Sequence, residues 1–489
     1  MSGAFAGLDR ALARHLPGFL ARQRWFAGKG RDLDSIALEE TAELPGAGSP
    51  CAYVVVRVGY AGGLEERYAL LLAVLNGADP ALRIAAGADW DGPADLVEAA
   101  TLPAPGRALL AGFIRPDTRI ASSGGGALAY GDTRGHSPFG DHTAENLPVK
   151  PLGAEQSNTS LRAGDHVFKL FRRIENGESP EVEIGRFFAE RTRFTALPQL
   201  GGSLSLAHGD TVRTAGVLQQ FVPHRADGWR WMLEQLAARR EGRVDDAALA
   251  VEARRIGVLT ADMHLALGSR DDVPGFAPRP VSAEDVQSWR ASFEARLARL
   301  SDDLRRHLAT VPPPAVADAA AVLERAADLP ALAPSPHEAA GAGVTLIRLH
   351  GDYHLGQTLR TDDGYVVMDF EGEPSRPLAE RRDHGCALRD VAGMLRSFDY
   401  AEATAGTAAG AASGHTPLRE TFLAAYLGRV VAGGARFIPA GAATARRWAA
   451  FFELDKALYE IEYELHHRPG WIWIPLRGAR QLAEAGHHY

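Results

Sequence analysis

The stretch LIRLHGDYHLGQTLRTDDGYVVMDFEGEP, from Leu346 to Pro374, constrains the fold more tightly than any other part of the chain. It reads as strand, loop, strand, strand. The apolar run Leu346–Leu349 ends at His350-Gly351-Asp352; beyond the turn Asp362-Asp363-Gly364, the run Tyr365–Met368 leads into Asp369-Phe370-Glu371. Gly351 permits a sharp backbone turn where a side chain would clash. Asp352 and Asp369 therefore fall at or just past strand ends, on loops carried by a rigid base.

Asp352 and Gln357 lie five residues apart. That is the offset between base and metal-binding amide in the protein-kinase loop H-R-D-x-x-x-x-N, and Asp369-Phe370-Glu371 follows where the metal-binding D-F-G would come. Phosphoryl transfer asks for a carboxylate beside the acceptor hydroxyl, oxygen ligands for magnesium and a cation on the nucleotide phosphates. Magnesium favours hard donors such as a carboxylate and an amide carbonyl. Asp369 and Gln357 supply that pair, which leaves Asp352 as the base toward the acceptor. Any one of these residues alone would suit an ordinary β-hairpin with turn aspartates. With His350, Gly351, Asp352, His354, Gln357 and Asp369 in register, the pattern predicts a phosphotransfer loop.

The rest of the composition sets bounds. A chain of 489 residues is long enough for about two to four domains. Its net charge of −8 gives no footing for non-specific nucleic-acid binding, and its only cysteines, Cys51 and Cys386, exclude a disulfide framework or a metal-thiolate site. The N-terminal MSGAFAGLDRALARHL places charges within its apolar spacing, as an amphipathic helix does and a secretory leader does not. With no apolar run of membrane-spanning length, a cytoplasmic protein is expected, with no membrane partner.

Read in order, Leu8–Leu16 is a predicted helix stopped by Pro17. The alternating runs Ala52–Tyr60 and Glu65–Leu75, joined by Ala61-Gly62-Gly63, form a hairpin. A helix on a small antiparallel sheet follows, with Trp25 and Phe26 of QRWFAGK in its core. Residues 86–150 promise a strand or two, with apolar character at Leu96–Ala100 and Arg107–Ile114.

In residues 151–222 the polar turn AEQSNTS precedes His166-Val167-Phe168-Lys169-Leu170-Phe171, a strand with a lysine among apolar residues. Such a lysine is costly to bury unless paired. It is either a phosphate-binding group or a solvent-facing edge residue beside Arg172 and Arg173. Ser179-Pro180 starts a helix from which Glu183 can reach Lys169. The strand Gly216–Val222 stops at Pro223; in a two-lobed kinase its backbone around Gln219–Phe221 would meet adenine. Beyond it the pattern is mainly helical: Gly228–Arg240, Asp245–Leu267, Ala283–Leu308, Ala315–Leu329, then a linker Leu332–Gly343, and after the hairpins Ala387–Tyr400, Arg419–Ala432 and Arg446–His467. The polar pair Arg389-Asp390 ahead of Val391, Met394, Leu395 and Phe398 suggests a helix lying beneath the active loop.

The segments HGDYHLGQ, DFEGEP with the following RPLAERR, and LRDVAGMLRSFDYA together resemble bacterial maltokinases, of the aminoglycoside-phosphotransferase and eukaryotic-kinase-like superfamily. QRWFAGKGR, AEQSNTS before HVFKLFRR, and ELDKALYEIEYELHHRPGWIWIPLR extend the resemblance nearly end to end. It implies an α+β, bilobal kinase-like fold: an N-terminal cystatin-like cap at residues 1–85, a nucleotide-binding N-lobe at 86–222 and a mainly helical catalytic and sugar-binding C-lobe at 223–489. It implies transfer of the ATP γ-phosphate to maltose, giving maltose 1-phosphate for glycogen and α-glucan synthesis, and association with trehalose synthase. By position, Asp352 is the base, Gln357 and Asp369 bind Mg2+, and Lys169 with Glu183 serves the phosphates. AEQSNTS is the phosphate loop; lacking G-x-G-x-x-G, it would grip through Ser157, Asn158, Thr159 and backbone N–H groups.

Sugar hydroxyls ask for carboxylates, amides and an aromatic face. Asp352, His354, Glu371, Glu373, Tyr463, Glu464 and Trp471 supply those types, though the stripe Tyr459, Tyr463, His467 suits plain helix packing equally. A glucosamine kinase forming the 6-phosphate on the same scaffold is the nearest rival, since an acidic pocket also suits an ammonium group. A non-catalytic partner of trehalose synthase is the rival of another class; the intact set Asp352, Gln357, Asp369 and Lys169 argues against it.

Overall fold

The computed structural model describes residues 3–115, 117–132, 134–153, 157–406 and 417–485. They divide between two compact units, residues 1–189 with 198–221 and residues 190–197 with 222–489.

The first unit stacks a helix and two antiparallel sheets. Strands Leu33–Glu43, Cys51–Tyr60, Glu65–Leu75, Asp95–Glu98 and Arg83–Ala85 pair in that order, and Arg173–Ile174 adds to Glu65–Leu75. The expected hairpin is present, with Cys51 facing Ala73 and Gly59 facing Glu65. Strand Cys51–Tyr60 is almost wholly buried because each face meets a different layer. Val54, Val56 and Val58 pack with Leu8, Leu12, Leu16, Phe19 and Leu20 of the helix Leu8–Leu20. Tyr53 and Val55 pack with Phe168, Leu170, Leu204 and Leu218 of the second sheet.

The helix does not stop at Pro17 but runs to Leu20. An interior proline costs about 3 kcal/mol, whereas burying Phe19 and Leu20 together returns roughly 3–6 kcal/mol, so the helix continues. Arg107–Ile114 is helical, not extended: the helix Pro103–Leu110 passes into a 3-10 turn at Ala111–Ile114. Pro103 and Pro105 mark its first turn, a position that tolerates the missing N–H.

The second sheet runs Arg119–Ala121, Ala127–Gly131, Leu200–His208, Thr211–Gln220, His166–Phe171, Asn158–Ala163, Val149–Leu152. Its central pairs set Lys169 between Ser160 and Val217.

The second unit is mostly helical, as expected. Helices Gly228–Arg240, Asp246–Leu267 and Ala283–His307 begin at Asp227, Asp245 and Ser282, whose side chains accept from Arg230, Ala248 and Asp285 N–H groups. The expected linker Leu332–Gly343 instead contains the helix Pro336–Ala342, started by a Ser335/Glu338 capping box. A further helix, Trp473–Ala485, follows the long Ala442–His467. No described helix is long and apolar enough to cross a membrane.

The stretch Leu346–Pro374 divides between two small sheets. Thr345–Arg348 lies between Arg279–Pro280 and His384–Gly385, while Thr358–Arg360 pairs with Tyr365–Val367 and Ala226–Asp227.

Candidate active site

In the second unit, the Asp352 loop is held through its backbone. The buried Asp390 carboxylate, in helix Leu388–Thr404, accepts from His350 N–H at 2.9 Å and Gly351 N–H at 3.0 Å. Behind it, His264 Nε2 lies 3.1 Å from Asp390, and His264 Nδ1 lies 3.0 Å from Tyr426 Oη. A donor is needed toward the carboxylate, so Nε2–H donates there and Nδ1 accepts from the tyrosine. Burial alone would raise the Asp390 pKa; the hydrogen bond from His264, with the Gly351 amide, holds it below the usual value. Gly351 has φ +85°, and a Cβ there would lie 3.2 Å from Gly372 Cα. This requires glycine.

The His350 ring couples this loop to the strand that leads into Asp369. Its Nε2 lies 2.9 Å from the Met368 carbonyl oxygen, which can only accept. Nδ1 is therefore the unprotonated nitrogen, facing Asp352 N–H at 3.4 Å. Met368 N–H donates to the Gln357 backbone carbonyl at 3.0 Å. The loop, Gln357 and the start of Asp369-Phe370-Glu371 are thus tied by neighbouring hydrogen bonds. Asp369 itself has φ +68°, a left-handed conformation uncommon for a non-glycine residue and concentrated at functional positions. Gln357 and Asp369 offer the hard oxygen donors that Mg2+ prefers.

On the acceptor side, the predicted residues fall into two groups. His354 Nδ1 accepts from Gly356 N–H at 3.0 Å. Burial lowers the His354 pKa, against the opposing pull of the Asp352 and Asp369 carboxylates, so all three share one electrostatic neighbourhood. Glu373 is held below its ordinary pKa: burial raises it, but Lys456 and Arg376, the latter at 3.0 Å, outweigh that. Burial and a hydrogen bond to Glu373 push the Tyr459 hydroxyl up to about 12, with Asp352 adding to the rise. Lys456 and Tyr459, on Ala442–His467, thereby join Asp352, His354 and Glu373. The Glu371 carbonyl oxygen accepts from Arg381 at 3.1 Å.

Tyr463, Glu464 and Trp471 belong to a second group. Glu464 accepts from Tyr400 Oη at 3.0 Å and from Arg468 at 2.7 Å. Trp471 stacks on Tyr400, and Tyr463 stacks on His467 with centroids 4.4 Å apart. Tyr463 is 41% exposed.

In the first unit, Lys169 is buried, with 8% of its surface exposed, and its Nζ donates to Glu181 Oε2 at 2.9 Å. The expected partner was Glu183. Glu181, two positions earlier in helix Pro180–Arg191, makes this contact, and two helical positions correspond to a turn of about 200°. Ser157 is exposed, Asn158 and Thr159 open the strand Asn158–Ala163, and Ala154, Glu155 and Gln156 of the expected phosphate loop lie outside the described residues. At the end of Thr211–Gln220, Gln219 sits opposite Val167 and Leu200. Gln220 N–H donates to Gln199 O at 2.8 Å and Phe221 N–H to Asp165 O at 2.7 Å. Those two amides are engaged within the unit, which leaves the carbonyl groups of the segment as the backbone atoms to which the adenine expectation applies.

Sequence reasoning gave no site role to four residues, two of which, Asp390 and Tyr459, it had named. Asp390 was legible in part, as a polar residue at the head of an apolar helical face. Lys456 and Tyr459 share the helix stripe with Tyr463, but spacing alone does not say which members turn toward Glu373. His264 carried no signal beyond a lone histidine in an apolar helix.

The comparisons with known proteins agree with this architecture. A profile of the maltokinase N-terminal cap domain matches residues 19–96. The chain is 32% identical over 261 residues to a glucosamine kinase of Streptacidiphilus jiangxiensis, an alignment covering 50% of this chain and 53% of that relative, about half its length. It is 28% identical over 350 residues to a glucosamine kinase of Mycolicibacterium smegmatis (strain ATCC 700084 / mc(2)155), covering 69% of this chain and 80% of the relative. The solved structure of a glucosamine kinase in complex with glucosamine, ADP and inorganic phosphate matches with a TM-score of 0.66 at 22% identity, over 97% of this chain and 98% of that one. The chain therefore has the kinase-like mixed α/β fold of the glucosamine kinases, begun by a maltokinase N-terminal cap domain, and its homologues are sugar kinases.

Proposed function

We propose that this protein transfers the γ-phosphate of ATP to a hydroxyl of a small sugar. The observation that carries this reading is the bonded unit of the Asp352 loop, Gln357 and the Asp369 strand, fixed by His350 and Met368. In it Asp352 accepts the acceptor hydroxyl's proton while His354, Glu373 and Tyr459 orient the sugar. Gln357 and Asp369 would hold Mg2+, which supplies neutralisation of phosphate charge when bound. Lys169, oriented by Glu181, directs an ammonium toward phosphate oxygens; Ser157, Asn158 and Thr159 stand at the head of the neighbouring strand.

Maltose, phosphorylated at its anomeric hydroxyl for α-glucan synthesis, is the acceptor we favour. The motif resemblance and the cap domain support it, and Glu373 already faces Lys456 and Arg376, which makes it a poor anchor for an ammonium group. Glucosamine is the second reading, favoured by the curated relatives. Comparing ADP release with maltose, glucose and glucosamine, then locating the phosphate by ³¹P NMR, separates the two. Preference for glucosamine ends the maltose assignment, and no turnover with any sugar ends the kinase assignment. The cap's association with trehalose synthase, and a cytoplasmic setting, belong to the same proposal; co-elution of the purified pair tests the first.

A further inference from the structure

Arg172 follows directly on the strand His166–Phe171, three residues past Lys169, and is 1% exposed. Its Nε donates to Thr159 Oγ1 at 2.9 Å. A terminal nitrogen donates to Glu98 Oε1 at 2.7 Å and to the Ala69 carbonyl at 3.3 Å. The guanidinium carbon sits 4.7 Å from the Trp25 ring centroid, and the Arg172 carbonyl accepts from Ala69 N–H at 2.8 Å. One planar group thus meets the QRWF segment, two strands of the first sheet, and the hydroxyl two residues past Ser157.

Glu98 neutralises the buried guanidinium charge. The remaining edge of the guanidinium is aimed elsewhere, at the strand whose head faces the phosphates in the kinase reading. Arginine's rigid fork makes that arrangement directional: fixing one edge on Glu98 and Trp25 fixes where Nε points. The Nε–H bond at 2.9 Å fixes the Thr159 side chain, and with it the position of the Thr159 hydroxyl.

We propose that Arg172 is a positioning residue through which the cap holds Thr159, so that the cap sets nucleotide affinity. The proposal rests on the kinase reading, and its test separates the two. Binding of MgADP to the full-length protein is measured by titration calorimetry, alongside the KM for the sugar that the acceptor screen identifies. Arg172→Lys keeps the charge but loses the fork, and is expected to weaken MgADP binding about tenfold, the effect of one hydrogen bond from a charged donor, with the sugar KM unchanged. Trp25→Leu, on the cap side, is expected to weaken it about threefold and remains informative if Arg172→Lys fails to fold. In a Thr159→Val background, Arg172→Lys should add little, because both act through one contact. Unchanged MgADP affinity in folded Arg172→Lys or Trp25→Leu, or full additivity with Thr159→Val, overturns the proposal. If the wild-type protein binds no MgADP, the kinase reading is what fails.

Discussion

Lys169 and Asp352 are both candidate active-site groups, yet they are held in different ways. Lys169 is itself half of an ion pair, with Glu181 at 2.9 Å in a nearly dry setting. Asp352 is placed indirectly: the backbone before it is clamped by Asp390, backed by His264 and Tyr426. A directed ammonium needs a counter-charge at its tip, because burial otherwise disfavours it. A base must leave its carboxylate open to the acceptor, so its loop is fixed through amides instead. The difference predicts that damage near Lys169 registers first in stability and ATP affinity, whereas damage behind Asp352 registers in turnover.

Asp352→Asn should have the largest effect, lowering kcat by about 10²–10⁴-fold while ATP binding survives in calorimetry; near wild-type turnover would remove Asp352 from the role of base. Next in size is Glu181→Gln, which removes the carboxylate charge that Lys169 meets at 2.9 Å. Denaturant melts should lose about 3 kcal/mol and the KM for ATP should rise, both by more than in Glu183→Gln. A larger loss from Glu183→Gln would reinstate it as the partner. Asp390→Asn keeps the shape but cannot accept from His350, Gly351 and His264 together. We expect a loss of about 1–3 kcal/mol and a fall in kcat with the ATP KM unchanged; a change confined to ATP KM would show that the clamp does not serve the base.

The smallest effect is a pH dependence. Burial lowers the pKa values of His166, in the first unit, and His384, in the second, below their ordinary 6.5. The unfolded chain then binds protons more readily between those lowered values and 6.5, so stability is complete above about pH 6.5 and declines as pH falls below it. Melting temperatures of the parent, His166→Gln and His384→Gln across pH 5 to 8 check this. If both variants decline on acidification as steeply as the parent, these histidines are not the cause.

The active loop was the most legible part because its chemistry is local. His350-Gly351-Asp352, Gln357 and Asp369 lie within one short stretch, and glycine at Gly351 follows from a backbone approach that a side chain would obstruct. The strands Cys51–Tyr60 and Glu65–Leu75 were legible for a similar reason, their apolar pattern being strong and their turn glycine-rich. Pro17 misled because a local rule was outweighed by burial on a sheet assembled from strands far along the chain. Glu181 went unnamed because both glutamates are within reach by count, and the rotation of the helix against the sheet brings Glu181 to Lys169.

By itself, the sequence determined the chemical inventory of the site and the order in which hairpins, loop and helices appear, since spacing, turn residues and caps act over a few residues. Tertiary structure decided which distant groups support that inventory: Asp390 and His264 behind the loop, Lys456 and Tyr459 beside Glu373, and Glu98 and Trp25 on Arg172. The physical reason is that a buried charge or amide is satisfied by whatever donor or acceptor packing brings within about 3 Å, and that packing joins residues with no local relation along the chain.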